Sequence, residues 1–347
     1  MTESTKVLEL KLTTMTGSSL WTGGIDQSMT YVKATSILGG LRFWTEALLR
    51  SQGYKVCSQA RCTYDSKNPE STCAACVLFG CTGLARPFIL KTETHSPVTG
   101  IVNQPPACVL QGARQARYYF KTGYTGAFTL KLVPQRPFGG VLCIPAEVQA
   151  ALVLMVGYGT LGAQDQYGCG LSVPVDKSEF KKLAENAASC IASQKPSLND
   201  SDSHGLKSFF FFKGKLKEGA SPQITMGTCR HDIREVARAL KGDTGGNFRH
   251  RFCGQLNRAN SCGTCYNLAV SNRTLYGWGY FPPQSQYSRF QKDMLNGMNE
   301  VLKTNLEGVR WKEFQTEKRD QESFNKFKSD WNAYLADLLN NAPDWRS

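Results

Sequence analysis

Between Cys57 and Cys76 the chain sets four cysteines in twenty residues, spaced as Cx4C, ten intervening residues, then CxxC. The connecting stretch, TYDSKNPEST, is polar and carries a proline, so it has little to pack around by itself. Two short-spaced thiol pairs on facing knuckles supply the tetrahedral, soft ligand set that a zinc ion prefers. Four thiolates leave no open position for water, which makes Cys57, Cys62, Cys73 and Cys76 candidates for a structural site rather than a catalytic one. A redox CxxC is the weaker reading, because the βαβ setting it needs is missing. Cys81, five residues beyond Cys76, is an alternative fourth ligand. A second set, His250, Cys253, Cys262 and Cys265, reads HxxC, eight residues, CxxC, and is a possible second zinc site.

The thirteen cysteines are an odd number, which argues against a closed disulfide framework. The opening MTESTKVLELKLTT lacks the apolar core of a signal peptide, and the longest apolar run, AALVLMV at 150–156, is too short to span a bilayer. A cytoplasmic chain without membrane attachment, its thiols reduced, is the expectation. The 41 Lys and Arg against 28 Asp and Glu give a formal charge of +13. Residues 285–347 hold ten of each sign, so the excess lies entirely in residues 1–284, and a polyanionic partner is expected there.

Strands and helices alternate. KVLELKLTT has period two and predicts a half-buried strand. From Thr35, Ile37, Leu41, Trp44 and Leu48 line one face of a helix, while Arg42, Glu46 and Arg50 line another. Strands follow at RPFILKTET and across ARYYFKTGYTGAFTLKLVPQ. Helices follow after Pro145 and after Asp176, which has capping-box spacing to Glu179. Beyond KPSLNDSDSHG come KSFFFFKGKL, a helix near 231–241, and strands at CYNLAVSN and TLYGWGYF. Phe324, Phe327, Trp331, Tyr334 and Leu338 make one apolar helical stripe, first of all core, in a tail suited to touching a protein neighbour. Helix, cysteine-bearing turn and strand recur in both halves. The pattern predicts an α+β chain of two ferredoxin-like units: 1–194 with a zinc loop at about 52–81, a linker at 195–205, a second unit at 206–284, and a helical extension at 285–347.

GYGTLGAQDQYGCG, residues 157–170, contains a GxGxxG at Gly157, Gly159 and Gly162. A dinucleotide-binding enzyme is one alternative, but the fingerprint needs a helix after the third glycine, and AQDQYGCGLSVP has no helical period. Five glycines bring backbone N–H groups close to something, most naturally phosphate, or else form a tight turn packed on their own domain.

LWTGGID followed by SILGGLRFWTEALLR, the cysteine pairs running into CVLFGCTGLARPF, the glycine loop, FRHRFCG and YGWGYFP together resemble the RAMP superfamily, in particular the head-end subunits of type III-B CRISPR (Cmr) effectors. The resemblance implies two RRM-like domains and a non-catalytic role capping the 3′ end of the ribonucleoprotein in antiviral defence. The partners it implies are crRNA, target RNA, the backbone RAMP subunits and the other head subunit. The cationic body and the glycine loop suit that role, with Arg42, Gly157, Gly159, Gly162, Gly168, Gly170, Arg249, His250 and Arg251 as candidate RNA contacts. Phe43, Trp44, Tyr118 and Tyr119 are either base-stacking groups or core. A RAMP endoribonuclease using Asp26 in metal-independent cleavage is the remaining alternative, although a lone carboxylate is more often a turn residue.

Overall fold

The predicted alternation over the first strand becomes β1 (Leu8–Thr14), with Leu10 and Leu12 buried while Glu9 and Lys11 point outward. In this computed structural model the residues described are 7–23, 29, 31–57, 62–95, 123–163, 168–192, 205–240, 248–249, 252–253, 266–281, 285–314 and 330–346. After β1 come α1 (Ala34–Ser51), the short α2 (Ala74–Phe79), β2 (Phe88–Thr94), β3 (Ala127–Pro134), α3 (Ala146–Gly157), β4 (Ser172–Pro174) and α4 (Lys177–Ala192). The second half runs β5 (Phe209–Leu216), α5 (Pro222–Ala239), β6 (Tyr266–Ser271), β7 (Thr274–Tyr280), α6 (Ser285–Asn305), β8 (Leu306–Glu313) and α7 (Trp331–Trp345).

Each half forms one four-stranded antiparallel sheet, in the orders β2-β3-β1-β4 and β6-β7-β5-β8. Both are the βαββαβ order of a ferredoxin-like unit, so the α+β, two-unit expectation holds. The tail differs from its expected all-helical form. Leu306–Glu313 is a strand that pairs with β5 and completes the second sheet. Its period-two signal was hidden by a bulge, since two residues of β8, Gly308 and Val309, stand opposite Gly214 alone.

The halves are not separate. α3 is apolar on every side because α1, α4 and α7 surround it, which explains the AALVLMV run. α1 buries Ile37, Leu41 and Leu48 in the first core, while Phe43 and Trp44 reach the second sheet. The Trp44 ring centroid lies 5.2 Å from Trp278, 5.4 Å from Phe209 and 6.1 Å from Phe211. These aromatics are thus a seam between the sheets; Tyr118 and Tyr119 lie outside the described residues. On the opposite face, Phe210 and Phe212 pack toward α5 and α6. Gly277 and Gly279 stand across from them, and a Cβ at Gly277 would meet the Phe212 ring at 2.1 Å, so the YGWGY motif makes room for phenylalanine.

α7 buries Trp331, Tyr334, Leu335, Leu338 and Leu339 against its own chain, chiefly α4 and α3. Along α7 the apolar stripe is thus core, as its spacing predicts; Phe324 and Phe327 lie outside the described residues. Arg346, just past α7, is fully enclosed and donates to the carbonyls of Ser172 and Gly159. Burial lowers its guanidinium to about 9, which still leaves it charged at neutral pH.

Candidate metal centre and glycine-rich loop

The loop between α1 and β2 brings Cys57, Cys62, Cys73 and Cys76 together, with the four Sγ atoms all within 4.8 Å of one another. Tetrahedral bonds of about 2.3 Å to a zinc ion would set sulfur–sulfur separations near ~3.8 Å, and Cys57 Sγ lies 3.6 Å from Cys76 Sγ. The fold supplies this closeness in two ways. Cys73 sits at the N-cap of α2 and Cys76 in its first turn, so the CxxC thiols share one side. The Ala74 N–H then donates to the Lys55 carbonyl, tying that turn to the segment that carries Cys57. Cys81 is outside this group of four among the described residues.

Burial pushes the Cys76 thiol up strongly, and the neighbouring thiols of Cys73 and Cys57 push it further. Burial likewise raises Cys73. Thiols this close and this desolvated cannot all ionise unless a cation shares the site, and a divalent metal supplies that charge. The donor set therefore fits a structural zinc.

Arg42 faces this centre. Its Nη2 donates to Cys76 Sγ at 3.3 Å and its Nε to Glu46 at 2.8 Å, while Arg50 bonds Glu46 at 3.2 Å and the Cys57 carbonyl at 3.4 Å. Burial works against the Arg42 charge, but the bonds to Glu46 and Cys76 outweigh it and raise its pKa. The charged stripe of α1, which holds the candidate RNA contact Arg42, is folded onto the cysteine loop. The i, i+4 spacing revealed the ion pairs; what they lean on is tertiary.

The glycine loop makes close backbone approaches, but to its own chain. A Cβ at Gly157 would meet Ala342 of α7 at 2.6 Å, at Gly159 the Trp44 ring at 2.4 Å, and at Gly162 and Gly170 the carbonyls of Trp21 and Leu161 at 2.2 Å. Gly162 and Gly170 also have φ near +80° and +87°, where a side chain is strained. Leu161 N–H donates to the Gly170 carbonyl, and Gly170 N–H to Ser19. Gly168 is roomier, its nearest neighbour Leu268 O at 3.5 Å. The packed-turn reading thus accounts for four of the five glycines. The dinucleotide reading fails on topology, because a helix, α3, precedes Gly157 where the fingerprint needs a strand.

Arg249 is half-buried in a helical turn with Phe248. Asp26, His250, Arg251, Cys262 and Cys265 lie outside the described residues, and Cys253, the described member of the second cysteine set, is buried. No described helix is long and apolar enough to cross a membrane.

The sequence profile of the RAMP superfamily matches residues 12–173, which run from β1 to β4 and so span the first ferredoxin-like unit. No curated protein matches the chain. Among solved structures, Cmr1 from Pyrococcus furiosus in its apo form is similar at 14% identity and a TM-score of 0.48, over 88% of this chain and 98% of that one. A chain of a type III-B Cmr-beta assembly, bound to cognate target RNA and AMPPnP in the presence of ssDNA, is similar at 11% identity and a TM-score of 0.47, over 85% and 99%. A chain of Cmr-beta bound to cognate target RNA is similar at 12% identity and a TM-score of 0.46, over 84% and 99%.

Proposed function

We propose that this chain, whose residues 12–173 match the RAMP superfamily profile, is a non-catalytic RNA-binding subunit at the 3′ head end of a type III-B CRISPR ribonucleoprotein. It helps hold crRNA and its duplex with target RNA, next to the backbone RAMP subunits and the other head subunit. The carrying observation is the RAMP profile falling on the first ferredoxin-like unit, from within β1 to within β4. The +13 charge, confined to residues 1–284, supports an RNA partner.

Cys57, Cys62, Cys73 and Cys76 hold a structural zinc that braces the α1–β2 crossover. His250, Cys253, Cys262 and Cys265 are a second zinc set in this reading. Arg249, His250 and Arg251 remain proposed RNA contacts, whereas Arg42 serves the cysteine centre. Purifying the protein from its native host in ribonuclease-free buffer and sequencing the RNA that accompanies it tests the proposal. Repeat-derived crRNA together with other RAMP subunits is expected, and RNA-free protein would overturn it. Asp26→Ala in the purified assembly leaves target cleavage unchanged; loss of cleavage would make this chain the nuclease.

A further inference from the structure

The second sheet has an opening that neither the metal centre nor the aromatic seam uses. Toward the first half, its inner face shows Phe209, Phe211 and Trp278 at one end, covered by α1. At the other end lies a cavity of about 490 Å³ lined by Lys213, Lys215, Arg310, Glu307, Thr274 and Tyr276. Its size is within the ~300–1,000 Å³ of small-ligand sites.

The bulge in β8 makes this cavity basic. Residues 307 and 310 are three apart and would point to opposite faces of a regular strand. Gly308, at φ +57°, and Val309 take up one extra position, so Arg310 pairs with Lys213 and Glu307 with Lys215, all on one face. A Cβ at Gly308 would meet nothing within 4 Å, so the bulge leaves open space. Three cations against one carboxylate give the cavity a net charge of +2.

Lys213 is already held in place. Its Nζ donates to the Trp345 carbonyl and sits 5.0 Å from the Trp345 ring centroid. Burial, and then the Arg310 charge, lower its pKa, as expected of an ammonium kept partly dry beside a like charge. Lys215 and Arg310 are exposed at the rim, and no ion pair occupies them among the described residues.

We propose that this bulged cavity between β5, β7 and β8 is a binding site for the phosphodiester backbone of RNA, with Lys213, Lys215 and Arg310 as the phosphate contacts. The inference rests on the RNA-binding reading above and gives it a place in the second unit. The cavity has room for one nucleotide, the Thr274 hydroxyl is a hydrogen-bonding group on its wall, and Lys215 stands in register with Glu307 as Lys213 does with Arg310.

The test uses the full chain and a fluorescein-labelled single-stranded RNA, with anisotropy titrations at several salt concentrations. The wild type binds, and Lys215→Glu with Arg310→Glu weakens binding at least about tenfold and lowers the slope of log affinity on log salt by about 1–2. Lys11→Glu with Lys91→Glu, an equal charge change on the first sheet, serves as the control and leaves affinity within about threefold. If the acidic pair of variants disturbs folding, Lys215→Gln with Arg310→Gln gives the same comparison with a smaller loss. Photocrosslinking with 4-thiouridine RNA is expected to label the peptide holding Thr274 and Tyr276. Wild-type binding with an unchanged slope in both variants, or crosslinks confined to other peptides, overturns the site and leaves the RNA reading standing. A wild type that binds no RNA overturns both.

Discussion

The two sheets share one topology and use their second faces in opposite ways. The first shows Glu9, Lys11, Lys91, Glu93 and Lys131, with Lys131 bonded to Glu93 at 2.9 Å and Glu9 at 3.5 Å, and no Phe, Tyr or Trp among the described residues of that face. The second shows Phe209, Phe211, Trp278 and Tyr280, and spends them on α1. An RRM reads single-stranded RNA by stacking bases on aromatics of an open sheet face. Neither face here offers an open platform of large rings: the first has no described Phe, Tyr or Trp, and the second has its rings packed against α1. On the reading proposed above, RNA recognition by this chain would rest on charge, and Lys213, Lys215 and Arg310 at the open end of the second sheet are where we place it.

The comparison extends to the crossovers. In each unit the segment joining the first helix to the second strand carries cysteines, Cys57 to Cys76 in one and Cys253 to Cys265 in the other. Only the first set is a described cluster. Cys76→Ser should have the largest effect on the molecule, removing one bound zinc per chain in native mass spectrometry and costing on the order of 5 kcal/mol or more of stability. A metal-free wild type that folds normally would refute the site. The same measurement sharpens the comparison, since a second zinc lost on Cys262→Ser would give both crossovers the same brace.

Breaking the seam should come next. Trp44 touches three rings of the second sheet and leaves no room for a Cβ at Gly159. Trp44→Ala should cost about 3–5 kcal/mol, and urea unfolding followed by circular dichroism should separate into two transitions as the halves lose their shared core. A single transition with unchanged midpoint would mean the sheets do not depend on each other.

Arg42 offers a smaller, local test. A centre of four thiolates and one zinc carries a net charge of −2, and Arg42 with Arg50 stands against it. Arg42→Met should speed zinc transfer to a chelator by about tenfold, in the range reported for partners of metal ligands, while RNA affinity stays near wild type. Weakened RNA binding with unchanged zinc transfer would return Arg42 to the role its sequence position suggested.

Legibility followed the range of the interactions. Periodicity exposed β1, α1 and α4, the Pro145 start exposed α3, and the cysteine spacing exposed the metal centre, because each is written within about twenty residues. β8 was hidden because one bulge residue shifted its alternation out of phase. The glycine loop resembled a phosphate cradle because glycine reports only that something comes close, and the something is Trp21, Trp44, Leu161 and Ala342 of the same chain. The contact of Arg42 with Cys76 was equally hidden, since the two lie 34 positions apart.

The smallest expected effect is the sharpest check on how the two faces differ. Lys131 lies near the middle of the first sheet, flanked by Glu9 and Glu93, and those carboxylates raise its pKa, Glu93 most. It is a cation on a sheet face like Lys215, but its charge is already matched, and exposed ion pairs contribute little. Lys131→Ala should therefore leave the unfolding midpoint unchanged and RNA affinity within about twofold at any salt concentration. A loss as large as that expected for Lys215 and Arg310 would mean that RNA lies across the first sheet after all, and that the open end of the second is not where the backbone is held.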